Sequence, residues 1–238
     1  MTEPTRIIAI RHGETTWNVD TRIQGRLDIP LNATGRRQAA RMALALKDEP
    51  ISAVYASDLM RAWETAQYLG HAHGLEVTPE EGLRERGFGD FEGKTFAEIE
   101  ALLPEQSQRW RKRDPHFAPL GGESLLALYD RVVEAAGRLA AQHPGELIAL
   151  VGHGGVMDVL YRAATRLHIQ APRTWTLGNA AINRLLWTPE GFTLVGWADT
   201  QHLDDDSLDD NLFAQPTRGA VNIQPLQPLQ PLQPLQSS

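Results

Sequence analysis

An α/β fold is what this sequence predicts: a three-layer αβα sandwich whose mostly parallel central sheet carries helices on both faces. Three observations lead there. Short apolar runs alternate with longer Ala- and Leu-rich stretches, the order expected when strands are joined by crossover helices. Several apolar runs stop at turns that combine glycine with Arg, His or Ser, as strands do when their carboxyl ends face a ligand crevice. The 238 residues, 42% of them hydrophobic, suffice for one sizeable core and not for a second.

Strand-like runs lie near residues 7–10, 52–56, 75–78 and 147–151, and helix-like stretches near 34–48, 58–73, 124–143 and 155–167. Thr34 reads as the N-cap of the first helix and Ser57 as the N-cap of the second. Thr95-Phe-Ala-Glu98 has capping-box form ahead of a short helix ending near Pro104. Gly121-Gly122-Glu123-Ser124 turns the chain into the long helix, with Ser124 or Glu123 favourable at its start. Asn183–Trp187 and Phe192–Trp197, separated by Thr-Pro-Glu-Gly, form a closing hairpin.

The chemistry concentrates where three of the strands end. The first stops at Arg11-His12-Gly13-Glu14-Thr15, the second at Ser57-Asp58-Leu59-Met60-Arg61, and a later one at Gly152-His153-Gly154-Gly155. If these strands are neighbours, His12, His153, Arg11 and Arg61 converge on one anion pocket. Arginine supplies a planar fork of donors for phosphoryl oxygens, and a neutral histidine a nitrogen nucleophile.

Four ordered motifs carry a resemblance: Arg11-His12-Gly13-Glu14-Thr15 with Asn18; Ser57-Asp-x-x-Arg61-Ala-x-x-Thr65-Ala; Leu83-x-Glu85 followed by Phe88-Gly89-x-Phe91-Glu92-Gly93; and Gly152-His153-Gly154. Over roughly residues 6–203 the chain resembles the histidine phosphatase superfamily, the phosphoglycerate-mutase-like fold. The resemblance implies that His12 is the phosphoacceptor and that Arg11, Arg61 and His153 clamp the phosphate. It implies that Glu85 protonates the leaving oxygen, that Asn18 helps hold the phosphoryl group, and that Gln24-Gly25 lies where a backbone N–H assists. It further implies a two-step reaction with neither metal nor cofactor.

The charge demands of phosphoryl transfer fit this set. The transition state spreads negative charge over three non-bridging oxygens, so positive charge and positioning do most of the work. Glu85 must hold a proton near neutral pH to act as an acid, then take one from water in the second step. Simpler readings compete with these roles: a surface salt bridge of Arg61 with Asp58 or Glu64, and an exposed, ion-paired loop carboxylate at Glu85. The six other histidines, His71, His73, His116, His143, His168 and His202, show no ligand spacing.

A net charge of -7 argues against nucleic acid or an anionic membrane as partner and leaves a local positive site that focuses small anions; the resemblance implies a small phosphorylated metabolite as that anion. No cysteine is present, so disulfides and thiolate chemistry are excluded. The N-terminal apolar run is too short for a signal peptide and no stretch suits a membrane span, which gives a cytoplasmic expectation. Residues 1–203 are expected to form the catalytic domain, with 94–123 as a cap-like insertion that chooses the substrate. Within it, Trp110-Arg111-Lys112-Arg113 reads as a solvated basic helix face, with a second substrate anion as the alternative. Residues 204–238, an acidic run and then four Gln-Pro-Leu repeats, are expected to be a disordered tail. Mutases of the family it resembles carry an arginine pair for the substrate carboxylate after the acid Glu; none follows Glu85, and Phe88–Gly93 looks more like the phosphatase branch, so the resemblance implies a phosphomonoesterase. A phosphoglycerate mutase is the alternative, and a non-catalytic phosphate-binding module the remote one.

Overall fold

The computed structural model describes residues 3–204, all within a unit of Met1–Ser207. The expectation of a disordered tail beyond Asp204 lies outside the described residues. The elements run in the order β1 (Thr5–Arg11), α1 (Thr16–Val19), α2 (Ala33–Ala45), β2 (Ile51–Ala56), α3 (Met60–His73), β3 (Val77–Pro79), α4 (Phe96–Leu102), α5 (Pro104–Arg111), α6 (Leu125–Ala140), β4 (Leu147–Gly152), α7 (Gly154–Thr165), β5 (Ile182–Thr188), β6 (Gly191–Asp199) and α8 (Gln201–Asp204). Two short 3₁₀ turns, Glu81–Leu83 and Gly89–Phe91, lie between β3 and α4.

The sheet has six strands in the order β3-β2-β4-β1-β5-β6. The first four run parallel, and the β5-β6 hairpin adds antiparallel strands beside β1. Strand alternation divides the core into two layers. Ile7, Ala9, Ile148 and Leu150 pack on one face against Leu128, Val132 and Leu139 of α6 and Val156, Val159 and Leu160 of α7. Ile8, Ile10, Ala149 and Val151 pack on the other against Met42 of α2 and Ala62, Ala66 and Leu69 of α3. Both faces are therefore covered, which is why β4 is buried along its whole length.

Two caps differ from the sequence reading. Asn32, not Thr34, caps α2, its side chain accepting from Gly35 N at 2.7 Å. Leu59 occupies the N-cap of α3, and Ser57 is drawn elsewhere. Thr95 makes the expected capping box with Glu98, and Ser124 accepts from Ala127 N at 3.1 Å. Glu123 pairs instead with Arg131 at 2.8 Å. The start of α5 was not anticipated: Pro104 begins it as an N1 proline as well as ending α4.

The segment 94–123 shares a small separate core with Phe91, where Trp110 packs against Phe91, Ile99 and Phe117. It is tied down at two places. Ile23 N donates to Lys94 O at 2.9 Å, and Arg113 pairs with the buried Asp158 of α7 at 2.7 Å. Arg113 is thus no member of a solvated basic face, whereas Arg111 pairs with Glu100 on the surface.

Gly13, directly after His12, meets Gly35 of α2 with no room for a side chain on either: a Cβ at Gly35 would press on the Glu14 backbone, and one at Gly13 on the Gly35 carbonyl. In an open helix Gly→Ala stabilises by about 1 kcal/mol. Here backbone cannot yield as a side chain would, and overpacking at about 1–3 kcal/mol wins. Gly35→Ala should therefore lower the unfolding midpoint in a denaturant titration; a raised midpoint would show that the two segments part easily.

Candidate active site

The ends of β1, β4 and β2 stand level because their last ladder bonds continue past the strands. His12 N donates to Gly152 O at 3.0 Å, and Ser57 N to Val151 O at 3.0 Å. That sets His12, His153 and Ser57 side by side at the carboxyl edge of three adjacent strands. The two imidazoles lie 5.2 Å apart between centroids, tilted by 60°.

His12 is buried, and its Nδ1–H donates to the Gly13 carbonyl at 2.7 Å. This bond fixes the tautomer and leaves the lone pair on Nε2. Gly13 is held in turn by Thr65 of α3, whose hydroxyl accepts from Gly13 N at 3.0 Å. Burial first, then the charges of Arg61 and Arg11, hold the His12 imidazole well below the ordinary 6.5, so it is neutral at physiological pH.

His153 bonds Ser57 Oγ through Nε2 at 2.8 Å, while its buried Nδ1 has no partner among the described residues. Burial and then Arg61, His12 and Arg11 lower its pKa far below the usual value too. Ser57 Oγ also accepts from Leu59 N at 3.2 Å. The hydroxyl that the sequence assigned to a helix cap thus joins strand end, helix start and second histidine.

Arg61 is 1% exposed, so it is no surface salt bridge. Asp58 pairs with Arg84 and Glu64 with Arg36 instead. Arg61 Nη1 and Nη2 donate to Leu27 O at 2.8 Å and Gly25 O at 2.7 Å, and its Nε is buried without a partner among the described residues. Burial lowers its pKa to about 10, which leaves the guanidinium charged. Arg11 donates to the Leu177 carbonyl and likewise keeps a buried, unpartnered Nε.

Glu85 is half-buried and carries no ion-pair partner among the described residues. Its carboxylate accepts from Gly155 N at 3.1 Å to each oxygen and from Arg86 N at 2.8 Å. Gly155 admits it because a Cβ there would occupy the carboxylate's own position. Arg131 of α6 braces the loop, bonding the carbonyls of Gly82 at 2.8 Å and Arg84 at 2.9 Å. A methyl placed on Gly154 would stand 3.7 Å from Arg11 Nε and 3.8 Å from Glu85 Oε2, so acid and guanidinium share one small space.

The Asn18 side-chain oxygen accepts from Thr15 N at 3.0 Å in a capping box. Asn179, which sequence reasoning missed, donates to His12 O at 3.0 Å and to Asn18 Oδ1 at 3.3 Å. Gln24 is buried with its Oε1 unpartnered. Gly25, in the left-handed region at φ 52°, engages the site through its carbonyl, the acceptor for Arg61.

Among the described residues no group of three or more His, Asp or Glu side chains is placed to hold a metal; the guanidinium groups of Arg11 and Arg61 bring positive charge to the crevice. An imidazole with a free Nε2, a carboxylic side chain and three unpartnered nitrogens can receive a tetrahedral anion, attack it and move a proton.

Two buried neutral histidines also make stability depend on pH. Their folded pKa values lie below the unfolded one, so their contribution is full above 6.5 and is lost as pH falls. Each should remove up to about 1.4 kcal/mol per pH unit until its lowered folded value is reached. Denaturant midpoints measured from pH 7.5 to 5 should fall less steeply in His153→Gln than in the wild type; an unchanged slope would show that His153 is not kept neutral by the fold.

A family model described as histidine phosphatase superfamily (branch 1) matches residues 7–200. The chain is 41% identical over 203 residues to phosphoglycerate mutase-like protein 4 of Arabidopsis thaliana, covering 84% of this chain and 87% of the relative. It is 37% identical over 204 residues to a metal-independent phosphoserine phosphatase of the same plant, covering 84% of each. A mycobacterial glucosyl-3-phosphoglycerate phosphatase, solved with VO3, superposes with a TM-score of 0.75 at 34% identity, over 82% of this chain and 99% of that one.

Proposed function

The chain belongs to the histidine phosphatase superfamily, and from that membership we propose that it hydrolyses a small phosphomonoester through a phosphohistidine at His12, without a metal ion. One observation carries this reading. One buried nitrogen each on Arg11, Arg61 and His153 has no partner among the described residues, next to a histidine whose Nδ1 is already engaged. A buried unpaired donor costs about 1–3 kcal/mol, and a phosphoryl group would satisfy all three at once.

In the first step His12 Nε2 attacks phosphorus, the N–P bond forms and the ester P–O bond breaks. The Gly13 carbonyl stabilises the charge that then appears on the ring. Glu85 gives its proton to the leaving oxygen. In the second step its carboxylate takes a proton from water, which attacks phosphorus, breaks the N–P bond and returns His12 to neutrality. Ser57 acts through His153: its oxygen accepts from Leu59 N and its hydrogen goes to His153 Nε2, which leaves Nδ1–H to donate to a phosphoryl oxygen. Asn18 and the Gln24-Gly25 turn complete the phosphate site, and the segment 94–123 borders it as the cap-like part of the 1–203 domain.

Relatives include phosphatases and a mutase-like protein, so the competing outcome is isomerisation, which requires phosphohistidine to be shielded from water. No helix among the described residues is long and apolar enough to cross a membrane, and the proposal keeps a cytoplasmic setting. The test is a panel of small phosphomonoesters in EDTA, with acid-labile phosphate on His12 sought by rapid quench. Phosphate release with transient His12 labelling is the expected result. Phosphoglycerate isomerisation outrunning hydrolysis would replace it with the mutase, and binding without labelling would leave only a phosphate-binding module.

A further inference from the structure

Asp158, buried on α7, holds three arginines. Oδ2 accepts from Arg113 Nη2 at 2.7 Å and from Arg162 Nε at 3.0 Å, and Oδ1 accepts from Arg173 Nε at 3.1 Å. Among the described residues none of the three pairs with a second carboxylate. One negative charge thus faces three positive ones. Arg162 is spent on structure, its remaining nitrogens donating to His168 O and Ala171 O. Arg173 is not: its side chain is 44% exposed, and among the described residues only its Nε is bonded.

The cluster sits beside the phosphate site. Asp158 follows Gly154 by four residues and Gly155 by three, so all three share the face of α7 that meets Arg11 and Glu85. The separation along the helix is about 6 Å. The loop that carries Arg173 returns to the site at Leu177, whose carbonyl accepts from Arg11. The positive charge of Arg173 adds to the lowering of the Arg11 pKa that burial begins, which agrees with that proximity.

We infer that Arg173, standing on Asp158 beside Arg11, takes a second anionic group of the substrate, a carboxylate or second phosphate a few bonds from the phosphoryl group. The inference rests on the proposed phosphatase reading. An anchored Nε leaves a guanidinium with its two terminal nitrogens presented as a fork, the geometry that suits oxyanions. Substrates with one anionic group would leave that fork in water.

Three compounds test it: 3-phosphoglycerate, glycerol 3-phosphate, which replaces the carboxylate by a hydroxymethyl group, and propane-1,3-diol bisphosphate. Wild type should favour one or both of the two-anion compounds over glycerol 3-phosphate by about 10- to 100-fold in kcat/KM, the range of a charge-assisted hydrogen bond. Whichever is favoured identifies the second group. Arg173→Ala should collapse the preference to within about threefold, and Arg173→Lys should restore part of it. Equal losses on all three compounds would make Arg173 a structural post and overturn the inference, as would a wild type with no preference. Calorimetric binding of the same compounds to His12→Ala, with and without Arg173→Ala, separates the two claims. A preference in binding with no turnover in wild type would sink the phosphatase and keep the subsite, and turnover with no preference would do the reverse.

Discussion

His12→Ala should lower kcat for phosphate release by a factor on the order of 10⁴–10⁶, the range found when a covalent nucleophile is removed. Binding should change far less, because Arg11, Arg61 and His153 still offer their free nitrogens to the phosphoryl group. The loss would fall on kcat and kcat/KM alike, the signature of an interaction made at the reacting centre. With Nε2 gone, water has to displace the ester oxygen directly in a crevice shaped for an imidazole. What survives is the electrostatic part, two guanidinium groups facing the developing charge. Rapid-quench labelling should show no phosphoenzyme in the variant. Hydrolysis within tenfold of wild type would mean that water or another group attacks, and His12 would then be a binding residue.

The pH dependence follows from the same geometry. Burial and two neighbouring arginines hold His12 below the ordinary 6.5, so the acid limb of kcat/KM, which reports the free enzyme, lies below that value.

The strands, the two histidines and both site arginines were legible because each is a local event. An apolar run ends, and the next one to five residues carry the chemistry. Elements that depend on distant partners were not. Ser57 looked like a helix cap, since Ser-Asp ahead of a helix is the local signature, yet its hydroxyl serves a histidine 96 positions away. Thr34 and Asn32 are both good caps. Asn32 wins because its Oδ1 reaches Gly35 N, while Thr34 slides into the first turn and accepts from Arg37. Pro104 read only as a stop, though the same missing N–H is tolerated at the start of the next helix. Asn179 and Arg131 had no local pattern at all: their partners at His12 and Gly82 are 167 and 49 positions away. A sequence can show that a loop carries a carboxylate such as Glu85, but not which arginine on another helix braces that loop.

Asp158 also had no local signal that it joins three arginines, one of them 45 positions away, and its removal should be strongly destabilising. In Asp158→Ala the guanidinium of Arg162, fully buried, would lose its only counter-charge among the described residues, and Arg113 would lose its tie to α7. Breaking a buried pair in this way costs about 3–5 kcal/mol, more than the pair itself contributes, because an uncompensated charge stays behind. The control is Asp158→Leu combined with Arg162→Leu, which removes both charges and should recover much of the loss. The sign in pH agrees. Burial raises the Asp158 pKa, but Arg113, Arg173 and Arg162 outweigh it and hold the group below the ordinary 3.8. Its contribution is present above that value and is lost only as pH falls through the lowered one, so acid sensitivity at pH 5–6 belongs to the histidines. Urea titrations of the single and double variants at neutral pH decide the matter. If the single variant were as stable as the double, the three arginines would have found other partners, and the carboxylate would not be what joins the 94–123 segment, α7 and the Arg173 loop.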